Sequence, residues 1–117
     1  MCGVVAILSR EGINNYHINI AKKTIELLRH RGPDDQNIWL DNSNGIIIGH
    51  TRLSIIDLSD NASQPMKKNN VVISFNGELY NYKEIRKILE YKGHVFHSES
   101  DTEVVLESWI EWGDECF

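Results

Sequence analysis

A cysteine stands at position 2 of this chain, in the opening stretch MCGVVAIL, and its chemistry depends on that position. One reading makes Cys2 a strand residue, since cysteine is among the side chains most often buried. The other begins with removal of Met1, which is usual when the next residue is small. Cys2 then carries a thiol with an ordinary pKa of about 8.5 and an α-amino group of about 7.7–8.0. A nucleophile and an amine able to act as general base would share one residue. Gly3 beside it would leave room for a substrate backbone.

Further along, Asn76-Gly77 is open to two readings. Between strands the pair signals a type I′ hairpin turn. Only ELY separates it from a helix cap at Asn81, however, which leaves little room for a returning strand. The alternative uses the Asn76 side-chain amide and the Gly77 N–H as two donors for an oxyanion. Arg52 interrupts the apolar run GIIIGHTRLSII, where an unpaired guanidinium is costly. It is either a surface-strand arginine or a fork for a carboxylate, such as that of an amino-acid substrate. Asp101 opens a helix, where a negative charge suits the dipole; it could equally be a counter-charge for a substrate ammonium. Glu78 and Ser54 carry no signal alone.

These residues need a scaffold. Residues 2–9 read as a buried strand, and Tyr16–His30 as a helix with Ile18, Ala21, Ile25 and Leu28 on one face. RHRGPDD breaks that helix. Strands follow at Asn37–Leu40 and Gly45–His50 around the turn-rich DNSNG. TRLSIIDL continues as an apolar strand, SDNASQP is a loop, and VVISF is a strand ending at Asn76-Gly77. Asn81 with Glu84, and Ser100 with Glu103, form capping boxes for helices over Tyr82–Tyr91 and Thr102–Trp112, with HVFH as a short strand between them. In the last helix Val105, Trp109 and Trp112 share a face that needs a partner surface, and Gly113 is a natural stop. Strands mixed with three helices indicate an α+β layered domain.

The bulk properties narrow the class of partner. One hundred and seventeen residues, 41% of them hydrophobic and 25% charged, suit one soluble domain. A net charge of −5 offers no basic footprint for nucleic acid or an anionic membrane surface. No apolar run reaches the roughly 18–20 residues that span a bilayer. The apolar opening breaks at Ser9-Arg10-Glu11 with no basic segment before it, so a secretory signal is not supported and a cytoplasmic location is expected. Cys2 and Cys116 are then expected as free thiols. His94 and His97 lack a third ligand at metal-site spacing, and no glycine-rich phosphate loop is present.

Six blocks in order, MCGVVAIL, RHRGPD, GHTRLSIIDLSDNASQPM, VISFNGELYNYKEIR, SDTEVVL and WGDECF, resemble the class II glutamine amidotransferase domain. RHRGPD and NGELYNY resemble most closely the form found in glutamine-hydrolysing asparagine synthetases. The resemblance implies an N-terminal nucleophile hydrolase fold, a four-layer αββα sandwich with antiparallel sheets, of which residues 1–117 would be an N-terminal portion. It implies that Cys2 attacks the glutamine side-chain amide, that Asn76 and Gly77 hold the oxyanion, and that a thioester is hydrolysed to glutamate. Arg52 would bind the substrate carboxylate; Asp101 and Glu78 would receive its ammonium; Leu53, Ser54, Ile55 and Ile56 would line the pocket. No cofactor is implied for this stretch. A further synthetase domain, using ATP and Mg²⁺, would accept the ammonia and amidate aspartate, and a homodimer is compatible with the family. Two other readings stay open: a related amidotransferase with a different ammonia acceptor, and a glutaminase-like interaction domain without activity.

Overall fold

The computed structural model describes residues 1–116 and places the layers around a short, central antiparallel sheet. Strand β1 (Gly3–Leu8) and strand β2 (Asp35–Asp41) flank β3 (Ile46–Arg52), giving the order β1-β3-β2 with Gly3 opposite Thr51 and Asp35 opposite Arg52. The β2–β3 turn forms where Asp41 accepts hydrogen bonds from the Asn44 backbone at 3.1 Å and from its side chain at 2.7 Å. Gly45 completes that turn at φ 67°, and a Cβ there would lie 2.0 Å from the Ser9 carbonyl oxygen. Only glycine fits both demands.

Helix α1 (Asn15–Leu27) covers one face of this sheet. Its apolar side buries Ala21 and Ile25, and Ile25 packs over Gly49 of β3, where a Cβ would lie 2.7 Å from Ile25 Cδ1. Asn14 caps it through a reciprocal bond with His17, and the chain leaves through a 3-10 turn over Leu28–His30. On the other side of the sheet, β3 reaches a hairpin of β4 (Met66–Lys68) and β5 (Val71–Ile73): His50 Nδ1 meets Ser74 Oγ at 2.7 Å. Helix α3 (Asp101–Trp112) packs on that hairpin and on α2 (Tyr82–Tyr91), burying Leu89, Val104 and Leu106. The order helix–sheet–sheet–helix is that of an α+β sandwich with antiparallel sheets, its second sheet represented here by two strands.

Two expected strands do not form. TRLSIIDL stays in the sheet only to Arg52, and HVFH is irregular. In both segments, side chains take the backbone groups that a ladder would have used. Asp34 accepts the Ser54 N–H at 2.8 Å, and the Arg52 guanidinium donates to the carbonyls of Asp57 and Ser59. Glu103 accepts the N–H groups of His97 and Ser98, Asp57 accepts that of Glu99, and Asn61 and Lys68 donate to the carbonyls of His97 and Val95. Side chains thus meet several of the backbone groups that a neighbouring strand would otherwise have paired.

The caps also differ from the reading. Asn81 makes no side-chain cap bond; its carbonyl instead accepts the N–H of Glu84. Ser100 does cap α3, accepting the Glu103 N–H at 3.3 Å, but the Glu103 side chain turns away to the 97–98 backbone. The capping box of the molecule lies at Asn14–His17, a pair without the usual acidic partner. On α3 the buried residues are Asp101–Val104 and Leu106–Ser108, not the face of Val105, Trp109 and Trp112. Polar residues can sit inside because loops bring them partners, which helical periodicity does not register. Among the described residues no helix is long and apolar enough to cross a membrane.

Candidate active site

Cys2 sits at the entrance to β1, fixed through its backbone and its sulfur. Its carbonyl accepts from Arg31 Nε at 3.0 Å, and the next N–H, that of Gly3, donates to Thr51 Oγ1 at 3.0 Å. Thr51 Oγ1 in turn donates to the Leu28 carbonyl at 3.3 Å, so the end of α1 holds the start of β1. The thiol lies against the backbone of Leu53, whose N–H points to Sγ at 3.4 Å. Gly3 does not make room for a substrate. A Cβ there would be 2.7 Å from Thr51 Oγ1 and 3.0 Å from Leu28 Cβ, so its bareness serves the approach of α1. RHRGPD, read as a helix breaker, supplies two anchors: Arg31 for the Cys2 carbonyl and Asp34 for the Ser54 N–H.

Cys2 opens into a cavity of about 440 Å³. Arg52, Leu53, Ile55 and Ile56 line it from the β3 side, Asn76, Gly77 and Glu78 from the segment after β5, and Asp101 from the start of α3. Ser54 is the one expected site residue that lies elsewhere, in the neighbouring concavity with Asp34 and Asp60. Strand alternation explains much of this gathering. Along β3 Gly49 and Thr51 face α1, so His50 and Arg52 face the second sheet.

Arg52 is buried and makes no salt bridge with a protein carboxylate among the described residues. Carbonyls of its own following loop, Asp57 and Ser59, hold the guanidinium plane instead, and the head remains on the cavity wall. The cost of burial foreseen for it is thus met by the backbone, with positive charge left over. Asp57 itself is held below the ordinary carboxylate range, first by its bond from Ser59 and also by the Glu99 N–H and the nearby Arg52 charge. Behind Arg52, fully buried His50 is pushed down to about 4 by burial and by the Arg52 charge, so it is neutral near pH 7.

The segment after β5 is not a hairpin. Neither Asn76 nor Gly77 has the positive φ that a type I′ turn demands. The stretch is irregular, lines the cavity at residues 76–78 and is pinned where Asp101 Oδ2 accepts the Leu79 N–H at 3.0 Å. Asp101 is buried and adds a carboxylate to the lining of the same cavity. The cavity therefore offers a thiol, a fixed cation, a fixed anion and amide donors at its edge. Sequence reasoning passed over Gln64, Phe75, Tyr80, Ser100 and Thr102, which also line it. No local signal marks them: Gln64 sits in the stretch SDNASQP, which reads only as a loop. Both cysteines are free.

A family model for the glutamine amidotransferase domain matches residues 1–117. The chain belongs to that family. Among curated relatives, glutamine-hydrolysing asparagine synthetase 3 of Bacillus subtilis is 37% identical over 120 residues, covering 99% of this chain and 19% of the relative. Glutamine-hydrolysing asparagine synthetase of Brassica oleracea is 38% identical over 119 residues, covering 97% and 19%. Amidase chry2 of Gibberella zeae is 33% identical over 126 residues, covering 97% and 18%. This amidotransferase domain chain thus spans about a fifth of the length of the curated relatives it matches.

Proposed function

We propose that this chain is the N-terminal part of a glutaminase domain that releases ammonia from glutamine through Cys2. The observation that carries the reading is one cavity holding Cys2, Arg52, Asn76, Gly77 and Asp101 together. With Met1 removed, the Cys2 amine takes the thiol proton as sulfur adds to the side-chain carboxamide carbon. The Asn76 amide and Gly77 N–H stabilise the oxyanion that forms. The amine then passes its proton to the leaving nitrogen, the C–N bond breaks, and a γ-glutamyl thioester remains on Cys2. Water, deprotonated by the same amine, cleaves the thioester to glutamate and the free thiol. Arg52 faces the α-carboxylate, while Asp101 and Glu78 face the α-ammonium, so the substrate is held by both charges of its amino-acid end.

In the full-length protein this ammonia would pass to a further domain that uses ATP and Mg²⁺ to amidate aspartate. The names of the bacterial and plant relatives support that acceptor. None of the residues described here is assigned to ATP or Mg²⁺. The fungal relative named an amidase favours keeping a second reading, the same glutaminase step serving another acceptor.

Intact mass before and after treatment with an electrophilic glutamine mimic tests the first step. Loss of Met1 together with a single adduct that vanishes in Cys2→Ala is the expected result. Retained Met1 and an unlabelled thiol in active protein would rule the mechanism out.

A further inference from the structure

Gln64 has no part in the reading above, yet it joins the two halves of the cavity. It follows the short turn Asp60–Ala62 and is only 6% exposed. Both ends of its amide are used, each by a different element. Oε1 accepts the N–H of Phe75 at 2.6 Å, and Nε2 donates to Thr102 Oγ1 at 3.1 Å. Phe75 stands immediately before Asn76-Gly77, and Thr102 immediately after Asp101. Phase and position make these bonds unusual. Phe75 lies two residues past the end of β5, so its N–H is outside the strand ladder. The link needs an acceptor and a donor fixed in one plane, which among neutral side chains of this length is the glutamine amide.

We propose that Gln64 is a positioning residue for glutamine hydrolysis, bracing the backbone at 75–77 against the first turn of α3. The brace holds the oxyanion donors and Asp101 at one fixed separation, matched to a substrate whose two ends they contact. This deepens the glutaminase reading and rests on it. The two arms of the brace have different kinetic signatures. Asn76 and Gly77 bond most strongly as the oxyanion forms, so loosening Phe75 falls on kcat. Asp101 holds the amino-acid end in ground and transition states alike, so loosening Thr102 falls on KM.

The test uses Gln64→Met, which removes both arms at similar volume, and Thr102→Val, which removes only the α3 arm. Glutamate release, hydrogen exchange at the Phe75 amide and melting temperature are measured in the full-length protein, beside wild type and Cys2→Ala. Gln64→Met is expected to lower kcat about tenfold or more and to speed Phe75 exchange, while Thr102→Val raises KM about fivefold with kcat within about twofold. Rates, KM and exchange all within about twofold of wild type in both variants would overturn the brace. So would losses that simply follow melting temperature without the split. If Gln64→Met does not fold, the KM-against-kcat split of Thr102→Val decides alone. If Cys2→Ala hydrolyses glutamine as fast as wild type, the glutaminase reading falls, and unchanged or faster Phe75 exchange still rejects or upholds the brace.

Discussion

Cys2 and Arg52 are both held in the cavity wall through backbone hydrogen bonds. Cys2 is gripped by its carbonyl and by the N–H after it, while Arg52 is held by two loop carbonyls. Substitutions should therefore separate binding from chemistry. Asn76→Ala is expected to cut kcat by about 10²–10³-fold with little change in KM, since an oxyanion donor acts in the transition state. Arg52→Lys should raise KM for glutamine by about tenfold and leave kcat largely intact, because an ammonium does not reproduce the planar fork. Steady-state glutamate release reads both. Equal effects on kcat and KM in the two variants would mean the roles are misassigned.

At the scale of elements, the start of α3 carries the greatest weight. Its first turn provides Asp101 and Thr102 to the cavity, and the Glu103 carboxylate anchors the irregular 97–98 segment by accepting three hydrogen bonds from it. Ser100→Ala removes the N-cap acceptor and is expected to cost about 1 kcal/mol, or about 4 °C in melting temperature. Glu103→Gln should cost more, about 2–3 kcal/mol, because an amide turns donors towards donors in a buried site. Thermal melts of the two variants check the ranking; a Glu103→Gln protein as stable as wild type would show that the anchor is dispensable. The layering and the helix positions were legible from periodicity and breakers. The two failed strands were not, because apolar composition cannot tell whether a backbone group will be met by a strand or by a carboxylate.

Across the whole molecule, two histidines set opposing pH slopes. His50 is neutral in the fold, with its pKa depressed from 6.5 to about 4 by burial first. The unfolded chain binds the extra proton in that window, so stability falls as pH drops from 6.5 towards 4, by on the order of 3 kcal/mol. His94 lies between two carboxylates of α3, 2.6 Å from Glu107 and 2.9 Å from Glu111, with Lys68 and Lys92 on the same cluster. Its pKa is raised, chiefly by the bond to Glu111. That contribution is complete below the ordinary histidine pKa and is lost as pH rises through the raised value. Melting temperature against pH should thus show an acid limb that flattens in His50→Asn and a milder alkaline limb that flattens in His94→Gln. Limbs unaltered in both variants would assign the titrations elsewhere.

The sequence by itself determined the kinds of chemistry available. It set a thiol beside an α-amine, an arginine in an apolar strand, amide donors in a short loop and an acid opening a helix. It also determined the alternation and helical periods that put most of them on the correct faces. The tertiary structure alone decided that Asn76-Gly77 is not a type I′ turn and that Arg52 is buried on loop carbonyls, because φ angles and loop carbonyls are products of packing. It also decided that Ser54 turns out of the cavity and that Gln64 spans it. Those outcomes depend on partners 11 to 38 residues away, such as Phe75 and Thr102 for Gln64, and no local pattern encodes such a distance. The opening cysteine became a candidate nucleophile by its position in the chain; the fold supplied the walls around it.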